Sequence, residues 1–112
     1  MTNETLDHLH QFLGAYFNED WMTEYRKADD VINAFASEST LEAISEVKKE
    51  IKSLLRADHD EDVLREFLLK DMSCCYCYWH DWESGKIWLN HIFEFLSEGR
   101  VLGLSAKNES AP

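Results

Sequence analysis

Cys74, Cys77 and His80 follow one another at three-residue intervals, and thiolate and imidazole are the ligands zinc prefers. A zinc site needs four protein ligands, or three and a water, and no second cysteine pair stands elsewhere in the chain. Cys77 with His80 and Asp81 also offers a thiol, a base and an acid. Nucleophilic catalysis requires these to converge beside an oxyanion hole, which no local pattern supplies. A buried cysteine behaves as a small hydrophobe, so core packing is the leading expectation for this cluster.

Asp58, Asp60 and Asp62 imitate the opening of a calcium loop, but position six is Val63 instead of glycine and position twelve is Leu69 instead of glutamate. These acids read as a solvated helix start, where the helix dipole favours them, or as an acidic docking patch. His8, His10, His59, His80 and His91 are scattered, none four residues from another on an apolar helix face. No glycine-rich phosphate loop or nucleophile elbow appears. The expectation is a protein that is not an enzyme and holds no cofactor or metal.

The chain has 112 residues, 45% hydrophobic and 12% aromatic, enough for one core and one domain. Its 22 acidic and 11 basic side chains give a formal net charge of −11. Acids outnumber bases by seven to two through Asp30, nine to six through Lys70 and six to three beyond. That balance argues against direct nucleic-acid binding and for solubility and fast encounter with a basic partner. The first residues carry neither a basic nor an apolar leader region, and no apolar run approaches the length of a membrane span. Three crowded cysteines cannot form a disulfide framework, so a reducing cytoplasm is the expected location.

Helical periodicity organises the rest, predicting an all-α single compact domain of about five to seven helices. Leu6, Leu9, Leu13 and Tyr16 form the stripe of a first helix from about Leu6 to Phe17, and Asn18-Glu19-Asp20 reads as a break. Asp20 is placed to cap a short turn carrying Trp21 and Tyr25, and Asp29 or Asp30 to cap another carrying Val31, Ile32 and Phe35. The clearest helix follows Ser39-Thr40, with Ser39 and Glu42 at capping-box spacing and Leu41, Ile44, Val47, Ile51, Leu54 and Leu55 on one face. Glu42, Glu46 and Glu50 flank that face on one side, with Lys48, Lys49, Lys52 and Arg56 mostly on the other. Like charges four residues apart repel by a few tenths of a kcal/mol per pair, so the glutamate row needs something basic against it.

A last helix is expected to start near Ser84 and carry Ile87, Trp88, Ile92, Phe95 and Leu96 on one side. "CCYCYWHDW", residues 74–82, shows no clean period and could be a buried strand, a turn or a helix start. The domain is expected to span residues 1–104, with 105–112 a disordered tail. Trp88 is expected inside, whereas Trp82, between Asp81 and Glu83, is a candidate surface anchor.

"LDHLHQFLGAYFNEDWMTEY" (residues 6–25), "VINAF" (31–35) and "IWLNHIFEFL" (87–96) resemble the small immunity proteins of bacterial contact-dependent growth inhibition systems. The resemblance implies a cytoplasmic protein that binds and neutralises a cognate toxin domain, a basic nuclease in many such systems. Inhibition of that kind needs a preformed scaffold, acids for steering and a few desolvated aromatic anchors, and is stoichiometric and steric. The expected partner-binding residues are Glu42, Glu46, Glu50, Asp58, Asp60, Glu61, Asp62 and Trp82. Alternatives are a small metal-binding or cysteine-dependent protein using Cys74, Cys77 and His80, and an acidic adaptor for another basic protein.

Overall fold

The computed structural model describes residues 6–99, and the expected tail at 105–112 lies outside them. Six α-helices form among the described residues: α1 (Asp7–Tyr16), α2 (Trp21–Glu24), α3 (Ala28–Glu38), α4 (Leu41–Ala57), α5 (Glu61–Glu66) and α6 (Gly85–Glu94). π-type turns extend α5 over Phe67–Asp71 and α6 over Phe95–Gly99, and no strand occurs among the described residues. α4 is the central packing element, lying against α1 on one side and α6 on the other. Among the described residues, no helix is long and apolar enough to cross a membrane.

The amphipathic stripes account for the core. Leu9, Phe12 and Leu13 of α1, Ile44, Val47, Ile51 and Leu54 of α4, and Trp88, Leu89 and Ile92 of α6 are all buried. Ile87 departs from the expected face and is 43% exposed. The helix turns Trp88, Leu89, Ile92 and Leu96 inward, and Leu89 fills the place expected for Ile87.

The caps also differ from the local expectations. Thr40, not Ser39, caps α4, its side-chain oxygen accepting the Ala43 N–H at 3.0 Å. Asp29 and Asp30 fall inside the first turn of α3, with Lys27 at the N-cap position, and Asp20 offers α2 no side-chain bond. Ser84 does cap α6, accepting the Ile87 N–H.

α1 begins at Leu6 in a left-handed conformation without a local cap. Glu50 of α4 supplies one across the interface, accepting the Leu9 N–H at 2.7 Å and lying 3.1 Å from His8 Nδ1. The positive helix start and the imidazole are the basic surroundings that the glutamate row needs.

The break after α1 is held by Asn18, which donates to the Ala15 carbonyl and accepts from the Asp20 N–H. Phe17 is fully buried and Trp21 packs edge-on against it at 5.5 Å, so both are scaffold.

Residues 72–78 form an irregular strap across the core, with Ser73 in a left-handed conformation and Tyr78 opening a short 3-10 turn. Met72, Cys74, Tyr76 and Tyr78 point in, and Ser73, Cys75 and Cys77 point out. The strap is fastened by the Cys75 N–H, which donates to the Phe17 carbonyl at 2.8 Å. Tyr76 and Tyr78 then flank Trp88 at 5.0 and 5.6 Å, distances at which aromatic pairs add to simple burial.

Gly85 sits where this packing is tightest: a Cβ there would lie 2.8 Å from Leu64 Cδ2 and 3.0 Å from the Tyr78 hydroxyl. Glycine to alanine ordinarily stabilises a helix by up to about 1 kcal/mol. Gly85→Ala is expected instead to destabilise by about 1–2 kcal/mol through overpacking. Urea unfolding of the two proteins measures the sign, and a stabilised variant would contradict this packing.

Candidate functional site

The expected docking acids fall into three settings. Glu42 is exposed on the first turn of α4. Glu46 and Glu50 are half-buried where α4 meets α1, and Glu46 also pairs with Lys49 at 3.1 Å.

Asp58, Asp60, Glu61 and Asp62 occupy the corner between α4 and α5. Asp58 terminates α4 in a left-handed conformation and pairs with Lys86 of α6, which holds its carboxyl below the usual carboxylate range. Asp60 stands at the N-cap position of α5, and Asp60 and Asp62 are exposed. The corner is the short connection between two helices, and among the described residues its carboxylates do not converge as a set of potential metal ligands.

Glu61 points inward. It accepts the Tyr78 hydroxyl at 2.7 Å and the Gly85 N–H at 2.9 Å. Burial first, and then this carboxylate, push the Tyr78 phenol above its ordinary pKa, so the proton stays on the ring oxygen. Glu61 thereby fastens α5, the strap and the start of α6 to one another, and fixes the backbone that presents Asp60 and Asp62.

Trp82 is half-buried, its ring 4.6 Å from that of His91, whose Nε2 lies 2.9 Å from Asp29. His91 and Lys86 are five residues apart on α6, which puts them about 140° apart around the helix axis. Trp82 and the Asp58 corner therefore stand on different sides of α6. Trp79, which is not among the expected partner-binding residues, is half-buried and carries the Arg65 guanidinium 4.3 Å from its ring centroid.

The cysteines do not build a metal site. Cys74 is buried, and burial pushes its thiol up to about 12, whereas Cys75 and Cys77 are exposed on the outer edge of the strap. Among the described residues, the potential ligand atoms that converge within 4.8 Å are those of His8, Glu46 and Glu50, without Cys74, Cys77 or His80. His8 and Glu50 in that group are already engaged in capping α1.

Two further features were not read from the sequence. An open cleft of about 640 Å³ lies between α1, α3 and α4, with Phe12, Tyr16 and Phe35 among its walls. At its edge Tyr16 donates to Glu38 at 2.6 Å, and burial together with that carboxylate pushes the phenol up to about 12. The second is a groove of about 470 Å³ between Lys48, Lys49, Lys52 and Arg56 of α4 and Phe93 of α6. The lysine and arginine spacing on α4 was legible, but its pairing with Phe93 depends on how α4 and α6 pack.

Comparison with known proteins adds a relationship to this geometry. Residues 5–96 match a family model described as CdiI immunity protein. The fold is similar to that of a chain in the "Crystal structure of CdiA-CT/CdiI complex from Y. kristensenii 33638", with a TM-score of 0.80 and 32% sequence identity. That alignment covers 83% of this chain and 99% of the other. No curated protein matches the chain.

The cysteine geometry makes a direct prediction. Native protein is expected to present two reactive thiols, Cys75 and Cys77, to a disulfide reagent at neutral pH, and the third only after unfolding. Three thiols reacting together in the native state, or a stoichiometric zinc released by their modification, would overturn the arrangement.

Proposed function

The chain belongs to the CdiI immunity protein family, and from that premise we propose that it binds and neutralises a cognate toxin domain of a contact-dependent growth inhibition system. The toxin is a basic, nuclease-type domain, and the complex is one-to-one. Inhibition is steric: carboxylates of the immunity protein take the places that substrate phosphates would occupy.

The observation that carries this reading is the α4–α5 corner, where Asp58, Asp60 and Asp62 are exposed on a backbone fixed from beneath by Glu61. A preorganised acidic corner loses little freedom on binding, and a net charge of −11 accelerates encounter with a cationic partner. Glu42 is a separate acidic point at the opposite end of α4. Glu46, Glu50 and Glu61 support the acidic surface from inside, since each already has a partner within the protein. Trp82 acts as a separate anchor on the other side of α6. The neutralisation takes place in the cytoplasm of the producing cell.

The test is to titrate purified protein against the toxin domain encoded immediately upstream and to co-express the two in cells. The expected outcome is protection and saturable one-to-one binding, with an association rate that falls as salt rises. Asp60→Lys combined with Asp62→Lys is expected to slow association by about tenfold or more at low salt. Absence of both binding and protection would overturn the immunity reading. Unaltered association and salt dependence in the double variant would remove the acidic corner from it.

A further inference from the structure

We infer that the groove formed by Lys48, Lys52 and Arg56 of α4 with Phe93 of α6 is a second docking site, which receives a carboxylate-bearing segment of the toxin. This inference rests on the immunity reading above and adds to it an opposite charge.

α4 is split by sign. Its glutamate flank turns toward α1, where Glu50 is occupied by the N-terminus of that helix. Lys48 and Lys52 come from the opposite flank, their ammonium groups 5.3 and 4.9 Å from the Phe93 ring centroid. Arg56 continues the same row one turn on and is exposed.

Acids outnumber bases 22 to 11 in this chain. Even so, among the described residues Lys48, Lys52 and Arg56 have no carboxylate partner, whereas Lys49 beside them is paired with Glu46. Three neighbouring cations left unpaired in an acid-rich protein, around one half-buried aromatic ring, form a receptor for anionic oxygen with an apolar floor. Ser45, exposed at the groove, adds a hydroxyl donor.

The occupant follows from two ranges of electrostatics. A polyanion such as RNA would be repelled by the net charge of −11, which three local cations do not offset. A toxin that is cationic overall is drawn in by the same field. Once docked, a few of its own aspartate or glutamate side chains can reach the groove. Such a contact adds little to steering and much to orientation, because the wrong register would set like charges against each other.

The proposal predicts a sign that steering alone does not. Lys48→Glu with Lys52→Glu shifts the formal net charge by −4, from −11 to −15. If the partner felt only the overall field, the variant would bind a cationic toxin as fast or faster. The groove predicts the opposite: roughly tenfold or greater weakening, carried by faster dissociation. Lys52→Glu with Arg56→Glu is a second pair at more exposed positions, and circular dichroism reports whether each variant remains folded.

The experiment measures association and dissociation of wild type and both variants with the upstream-encoded toxin domain, alongside a labelled single-stranded RNA 12-mer as probe. Weakened toxin binding in the folded variants, without RNA binding by the wild type, supports the inference. Undiminished toxin binding in a folded variant overturns the inference and leaves immunity standing. RNA binding lost on charge reversal overturns it in favour of a nucleic-acid site. A wild-type protein that does not bind the toxin takes both readings down together.

Discussion

A phenol buried without water has to find an acceptor within the protein, and the fold around α6 is arranged by that requirement at Tyr78. The residue is fully buried against Trp88, and leaving its hydroxyl unpaired would cost on the order of 1–3 kcal/mol. Glu61 meets the requirement and with its other oxygen takes the Gly85 N–H at the start of α6. Tyr76, the other inward phenol of the strap, donates to Asp81 at 2.6 Å, which ties the strap's far end back on itself. Because Glu61 is committed inward, the acids on either side of it are displayed outward on a constrained backbone. An internal hydrogen bond thus sets the geometry of an external charge patch.

The helices were legible because their signals are local. The stripes of α1 and α4 and the Ser84 cap of α6 need only the chain within a few turns of themselves. The strap was not legible, although its burial alternates strictly over residues 72–78. Its inward residues, Met72, Cys74, Tyr76 and Tyr78, and its outward cysteines are similarly apolar in type, so the pattern of burial leaves no pattern of polarity. The first helix was expected from about Leu6 and begins at Asp7, but what caps it was opaque. Its cap, Glu50, lies 41 residues from the Leu9 amide it receives, and no local motif reports such a contact.

The same distinction separates the acids that support the surface from those that form it. Glu42, Glu46, Glu50, Asp58, Asp60, Glu61 and Asp62 look alike in sequence, and counting charges treats them equally. Packing divides them: Glu50 and Glu61 accept backbone N–H groups across helix interfaces, whereas Glu42, Asp60 and Asp62 face solvent. Removing Glu50 or Glu61 would leave a helix-start N–H without its acceptor, and removing one of the three exposed acids would alter a field.

An inhibitor that recognised its partner by net charge alone would bind any cationic protein in the cell. Long-range attraction is unselective by nature, because at distances large compared with the spacing of individual charges only their sum is felt, and salt weakens even that. Selectivity has to come from short-range contacts that penalise a wrong partner, and an opposite charge set into an acidic protein is an efficient one. On the two docking sites proposed above, a uniformly basic surface that satisfied the Asp58–Asp62 corner would place cations against Lys48, Lys52 and Arg56. Only a surface carrying acids at the matching place satisfies both. α4 can carry both signs on one rigid rod because Glu50 is occupied by the start of α1 while Lys48 and Lys52 lie over Phe93 on the other flank.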